Sequence, residues 1–236
     1  MNGDDDGGSS GGGWGYGHWP SGGSYFLALV LLGLGVFIFV NLVGYAYERV
    51  GISPGWFTGI LIGSLVGSRI NIPVWKFKEP ARVEAQKVTV FGTTYNIPVR
   101  SSQDSILAVN VGGAIIPTAV SIYLIVHDHV WEHSLIAVAC VSVVVFLIAR
   151  PVQGVGIVMP PLVAPAVAAI TAVIIGKPHL AAVAYVCGTL GTLIGADLMN
   201  LWRIKKMAAP EASIGGAGTF DGVFLSGLGA VVLASL

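Results

Sequence analysis

Two aspartates stand inside long apolar runs. Asp197 lies near the end of HLAAVAYVCGTLGTLIGADLMNLW, and Asp221 near the start of IGGAGTFDGVFLSGLGAVVLASL. A carboxylate in hydrocarbon is expensive, so it is read first as a site. If the two runs are adjacent helices joined by a short turn, the 1.5 Å rise per residue puts both carboxylates about 8–10 Å below the same membrane surface. Two carboxylates facing each other can share one proton, because like charges drive their pKa values apart. One would then activate water, and the other would protonate the leaving group of a scissile amide or hold its carbonyl. Gly218 and Gly222 flank Asp221 and leave room for a substrate backbone. Three other roles stay open: binding a buried donor, lining an ion path, and capping a helix that begins at Thr219 or Phe220.

Other polar groups sit in apolar surroundings. On a helix, Asn200 projects about 60° from Asp197, while Gly188, Gly191 and Gly195 form a small-residue stripe nearly opposite it. Gly59, Gly63 and Gly67 form a second such stripe. Gln103, Asn110, Gly113 and Pro117 fall within about 80° of one another on a helix. Pro117 removes a backbone hydrogen bond and predicts a kink beside Gly112 and Gly113, which would leave carbonyls for a ligand or for packing. Asn110, Gly113, Pro117, Asn200, Gly218 and Gly222 are therefore the candidate substrate-binding residues. Asp104 is a minor site candidate that also suits a helix cap.

The segment HDHVWEH offers metal chemistry. If it is helical, His129 and His133 lie one turn apart with Glu132 adjacent, and all three are sensible zinc ligands. A polar turn with no ligand fits the same residues. The His-Glu-x-x-His pattern of a zinc protease is absent.

These residues need elements to position them. The chain has 236 residues, 54% hydrophobic and only 10% charged, against about 25% charged in an ordinary soluble protein. Net charge is zero, which argues against a nucleic-acid partner. Seven apolar stretches, at 25–47, 52–70, 104–126, 133–149, 157–175, 179–202 and 215–235, reach the roughly 17–25 residues a bilayer core demands. Pro160, Pro161 and Pro165 predict an irregular start to the fifth. Broken helices of that kind bind ions or substrates in transporters. Residues 1–23 are a Gly/Ser/Asp tail that cannot build a core; residues 24–236 form the transmembrane domain. The loop 71–103 contains KVTVFGTTYNIPV, read as a β-hairpin around a Gly-Thr-Thr turn. Cys140 and Cys187 sit in apolar runs and read as small hydrophobes. No signal peptide is visible.

Basic residues set the orientation. Lys76, Lys78, Arg82, Lys87 and Arg100 follow the second stretch, Arg150 the fourth, and Arg203, Lys205 and Lys206 the sixth. The alternate loops are poor in them. The positive-inside rule therefore predicts a cytoplasmic amino terminus and hairpin loop, and an extracytoplasmic carboxyl terminus.

The two membrane aspartates, the second in a Gly-rich TFDG setting, resemble the intramembrane aspartyl proteases of the presenilin, signal-peptide-peptidase and prepilin-peptidase class. The resemblance implies Asp197 as the first catalytic aspartate and Asp221 as the second. The chain departs from that pattern: Phe220 replaces the glycine before the second aspartate, Ala196 replaces the tyrosine before the first, and no intact Pro-Ala-Leu element is present. A fuller resemblance is to the DUF1614 family of small membrane proteins. It is carried by NVGGAIIP (110–117), RPVQGVGI (150–157), GTLIGADLMNL (191–201) and ASIGGAGTFDGVFLSG (212–227). It implies a shared fold and supplies no activity.

The sequence thus predicts an all-α, seven-span membrane protein with a small cytoplasmic β-hairpin. The leading expectation is a two-aspartate hydrolase of a membrane-embedded peptide. A small-solute or ion transporter built on broken helices, Asn110 and the aspartates is the alternative, and a non-catalytic assembly subunit is a third. The expected partners are the bilayer and a transmembrane peptide or small solute. No cofactor is expected.

Overall fold

A computed structural model describes residues 22–78, 87–90, 93–96, 104–152, 156–204, 211–216 and 222–236. The chain divides into two compact units, Met1–Val40 and Asn41–Leu236. The described part is mostly helical. In chain order the elements are α1 (Gly22–Arg49), α2 (Pro54–Gly67), β1 (Asn71–Lys78), β2 (Lys87–Val90), β3 (Thr93–Asn96), β4 (Asp104–Asn110), a π-helical turn (Val111–Ile115), α3 (Ile116–His127) and α4 (Trp131–Ile148). There follow β5 (Arg150–Val152), β6 (Gly156–Val158), α5 (Val163–Ile175), α6 (Leu180–Thr192), a second π-helical turn (Leu193–Leu198), α7 (Leu201–Ile204), β7 (Glu211–Ile214) and α8 (Gly222–Ala234).

Each of the seven predicted spans contains a helix, but their lengths differ. Ala28–Arg49, Trp131–Ile148 and Leu180–Arg203 are long and apolar enough to cross a membrane. The helices Pro54–Gly67, Val111–His127, Val163–Ile175 and Gly222–Ala234 are shorter. A 13-residue helix such as α8 reaches only about 20 Å, short of a hydrocarbon core of about 30 Å. The apolar helices suit contact with lipid; crossing by all seven is not established by their lengths.

Helix α6 is the centre of the bundle, packed by α3, α4, α5 and α8. Every residue from Ala182 to Thr189 is buried. A helix apolar all round must be enclosed, and α6 achieves it with small residues. Its glycine stripe is used twice over: Gly188 lies on Ser226 and Gly227 of α8, while Gly191 and Gly195 lie on Val141 and Ser142 of α4. On α2 only one end of the stripe is tight. Gly67 meets Gly112, Gly63 approaches the tip of Ile116, and Gly59 has open space around it.

The sequence reading is corrected at the third span. Residues 104–110, expected to begin a helix, form β4. It pairs antiparallel with β1 and parallel with β7, giving the order β1-β4-β7. An apolar stretch this short does not distinguish strand from buried helix; the pairing partner does. Val74 is the extra residue of a bulge in β1, since Pro73 opposes Ala108 and Trp75 opposes Leu107. Pro73 is tolerated because β1 is an edge strand. One face of the sheet, through Leu107, Val109, Ala212 and Ile214, packs on Leu193, Leu201 and Val223 at the helix ends. The expected hairpin is present as β2 and β3, with Val90 opposite Thr93. Thr93 and Thr94 belong to the strand, not to the turn. The irregular start of the fifth span is also observed: β5 and β6 pair, and α5 begins only at Val163.

A polar junction at the sheet and two helix bends

The candidate site lies where β4 and β7 end side by side. Because the strands are parallel, their carboxyl ends share one edge of the sheet. Each leads into a glycine pair, Gly112-Gly113 after β4 and Gly215-Gly216 after β7. Asn110 ends β4 and is fully buried. Its Oδ1 accepts the Gly113 N–H at 2.7 Å. That bond fixes the amide orientation, so Nδ2 must face the other way. It donates to the Ser68 carbonyl at 2.8 Å and to Asn71 Oδ1 at 2.9 Å. Asn71 Oδ1 also accepts from Ser213 Oγ at 3.0 Å. On the face of the sheet opposite the apolar one, these bonds form a polar knot joining α2, β1, β4 and β7.

Gly113 touches the carbonyl of Gly215, with no room for a side chain between them. Gly215 has φ +80, which an L side chain rarely adopts. Its N–H donates to Asp197 Oδ2 at 2.7 Å. Asn110 and Asp197 are therefore linked through two glycines. Asp197 is half-buried and sits in the second π-helical turn, at the end of α6. Such turns recur at functional sites because they re-aim side chains and release backbone groups.

Asn200 follows that turn and is fully buried. Its Nδ2 donates to the carbonyls of Gly195 and Ala196, both at 3.0 Å. Its Oδ1 accepts from Arg203 Nη1 at 3.1 Å. Arg203 lies over the rings of Phe146 and Trp202 at 5.1 and 4.9 Å. Both amide hydrogens of Asn110 and of Asn200, expected to meet substrate, are thus engaged by protein oxygens.

The structure therefore gathers Asn110, Gly113 and Asp197, with Asn200 beside the bend that carries Asp197. Pro117 is buried in the first turn of α3, just after the first π-helical turn. The π-helical turn, Val111–Ile115, lies directly before the helix turn that holds Pro117. Gly112, against the backbone of Ser64 and Ser68, is engaged in packing. Gly222 is exposed at the start of α8. Asp221 and Gly218, like Gln103, lie outside the described residues, and the side chain of Asp104 is likewise outside them. Ser68, Asn71, Ser213, Gly215 and Arg203 were not anticipated. The repeated Gly-Gly pair after a short β-prone stretch was the available signal.

The histidine segment lies at the opposite end of α3. It is not helical as assumed: α4 begins at Trp131, and His129 sits in the turn before it with φ 53. His129 and His133 thus lack the one-turn spacing on a common helix that the zinc reading needed. His127 Nδ1 pairs instead with Asp128 Oδ1 at 2.8 Å. Among the described residues no group of three or more His, Cys, Asp or Glu is placed to hold a metal.

A family model described as "Protein of unknown function (DUF1614)" matches residues 65–233. The match runs from the end of α2 through nearly all of α8 and contains the whole polar junction. No curated protein and no solved structure matches the chain.

Proposed function

We propose that this chain, which belongs to the DUF1614 family, is a membrane-embedded hydrolase that uses Asp197 and Asp221 on a peptide drawn from the bilayer. The observation that carries the reading is the bond from Gly215 N–H to Asp197 Oδ2. It ties the segment bearing the first aspartate to the start of the segment bearing the second. Asp221 follows Gly215 by six residues, a reach of at most about 20 Å. A carboxylate with one oxygen held by a backbone N–H has a fixed orientation, as a general base requires. The seven helices are proposed to enter the membrane in full. The sheet and the 203–210 segment would face the cytoplasm, following the basic residues.

The test is cleavage of a transmembrane peptide by the purified protein in lipid nanodiscs. Asp197→Asn and Asp221→Asn should each abolish product while the protein still unfolds in a cooperative thermal transition. Undiminished cleavage by either variant, or none by the wild type over a panel of helices, sinks the reading.

A second reading, a small-solute or ion carrier, is favoured by the two π-helical turns, which bracket α3 and α6 with backbone irregularity beside buried asparagines. Irregular backbone at membrane depth is tolerated where it lines a cavity or is packed in protein. Flux into proteoliposomes that Asp197→Asn stops, without any peptide cleavage, would favour it.

A further inference from the structure

We infer that Asn200 and Arg203 are positioning residues for Asp197, acting through the bend of α6. The argument begins with backbone accounting. In the second π-helical turn Met199 N–H bonds to Ile194 O at 2.8 Å, and Asn200 N–H bonds to Asp197 O at 3.2 Å. These bonds pass over the carbonyls of Gly195 and Ala196. A carbonyl left bare at this depth is unfavourable. The side-chain amide of Asn200 reaches back and takes both, at 3.0 Å each. It is the side chain suited to this: Nδ2 carries two hydrogens for two acceptors, and Oδ1 remains for a donor.

Arg203 supplies that donor, Nη1 to Oδ1 at 3.1 Å. The guanidinium plane is itself held over Phe146 of α4 and over Trp202. A planar, delocalised cation stacks on aromatic faces in a way that a lysine ammonium does not reproduce. The sequence from Phe146 through Arg203 and Asn200 to the carbonyls of Gly195 and Ala196 therefore locks the π-helical turn. Asp197 is the next residue after Ala196. Its carboxylate direction, and so its bond to Gly215, depends on that lock.

The inference rests on the proposed function only for what Asp197 does, not for its geometry. The experiment therefore reads geometry. Amide hydrogen exchange of the full chain in nanodiscs is followed by mass spectrometry, using overlapping peptides that isolate residue 215. Asp197→Ala removes the acceptor and should speed exchange at Gly215 about tenfold or more, as expected for losing a bond to a charged group. Asn200→Asp keeps the shape but has no hydrogens for the two carbonyls. It should speed Gly215 comparably while α4 and α8 stay protected. The Asn200→Asp/Asp197→Ala double variant should add nothing further, the signature of one pathway. A helix that merely lost stability would show additive effects and general deprotection.

Should Asn200→Asp fail to fold, Arg203→Gln gives a milder form of the same test, with a smaller acceleration at Gly215. Unchanged Gly215 protection in a folded Asn200→Asp or Arg203→Gln protein overturns the inference. So does acceleration that adds to that of Asp197→Ala. If peptide cleavage is absent but the exchange coupling holds, the hydrolase reading fails and the positioning role stands.

Discussion

Asp197 Oδ2 and the backbone nitrogen of Gly215 lie 2.7 Å apart across 18 residues of sequence. The bond joins the bend of the central helix to the turn that ends the sheet. It gives the aspartate a definite structural duty beside any chemistry.

Removing that acceptor should be felt in stability. Asp197→Ala is expected to lose about 1.5–3 kcal/mol, the range for hydrogen bonds to charged groups. Asp197→Asn keeps an acceptor oxygen and should lose less. Reversible unfolding in mixed micelles checks the order; equal stability of all three proteins would contradict the bond.

Gly215 and Gly222 predict opposite behaviour. A Cβ at Gly215 would lie 2.6 Å from Ala114 atoms, on a backbone with φ +80. Gly215→Ala should be destabilised by about 2–4 kcal/mol. Gly222 has no neighbour within 4 Å, and Gly222→Ala should fall within about 0.5 kcal/mol of wild type. The same unfolding assay separates them.

The glycine stripe of α2 should be functional at one end only. Gly112→Ala would push a methyl into the backbone of Ser64 and Ser68 and should destabilise by about 2–4 kcal/mol. Gly59→Ala faces open space and is expected to be neutral or slightly stabilising, by up to about 1 kcal/mol, since alanine favours the helix. A large loss from Gly59→Ala would point to a helix packed there that the fold does not place.

Orientation has a direct check. Lys76, in β1, and Lys177, just after α5, are both exposed. In a chain carrying Cys140→Ala, a membrane-impermeant maleimide should label Lys177→Cys in intact cells, and Lys76→Cys only after permeabilisation. The reverse pattern would invert the proposed topology.

Much of the helical frame was legible because apolar runs in a weakly charged chain have few alternatives. The hairpin was legible too, since β-prone residues flank a glycine over a short distance. β4 was not. Ile106, Leu107, Ala108 and Val109 read as the start of a helix. What makes them a strand is pairing with Asn71–Lys78 and with Glu211–Ile214, contacts far away in sequence. Asp197 was visible as an anomaly of polarity, but one of its partners is the backbone N–H of Gly215, which no side-chain pattern announces. Asn110 and Asn200 were visible as polar residues in apolar runs. Their engagement with backbone carbonyls became apparent only once the π-helical turns did.

The enclosure of α6 has a consequence for how the protein is made. A ribosome delivers α3, α4 and α5 before α6, but α8 only afterwards. Until α8 arrives, the flank of α6 bearing Gly188 and Thr189, which α8 covers, has no protein against it. The bundle is therefore completed late, by the helix that follows Asp221. A chain halted near residue 216 would hold the central helix with one side open to whatever surrounds it, lipid or chaperone.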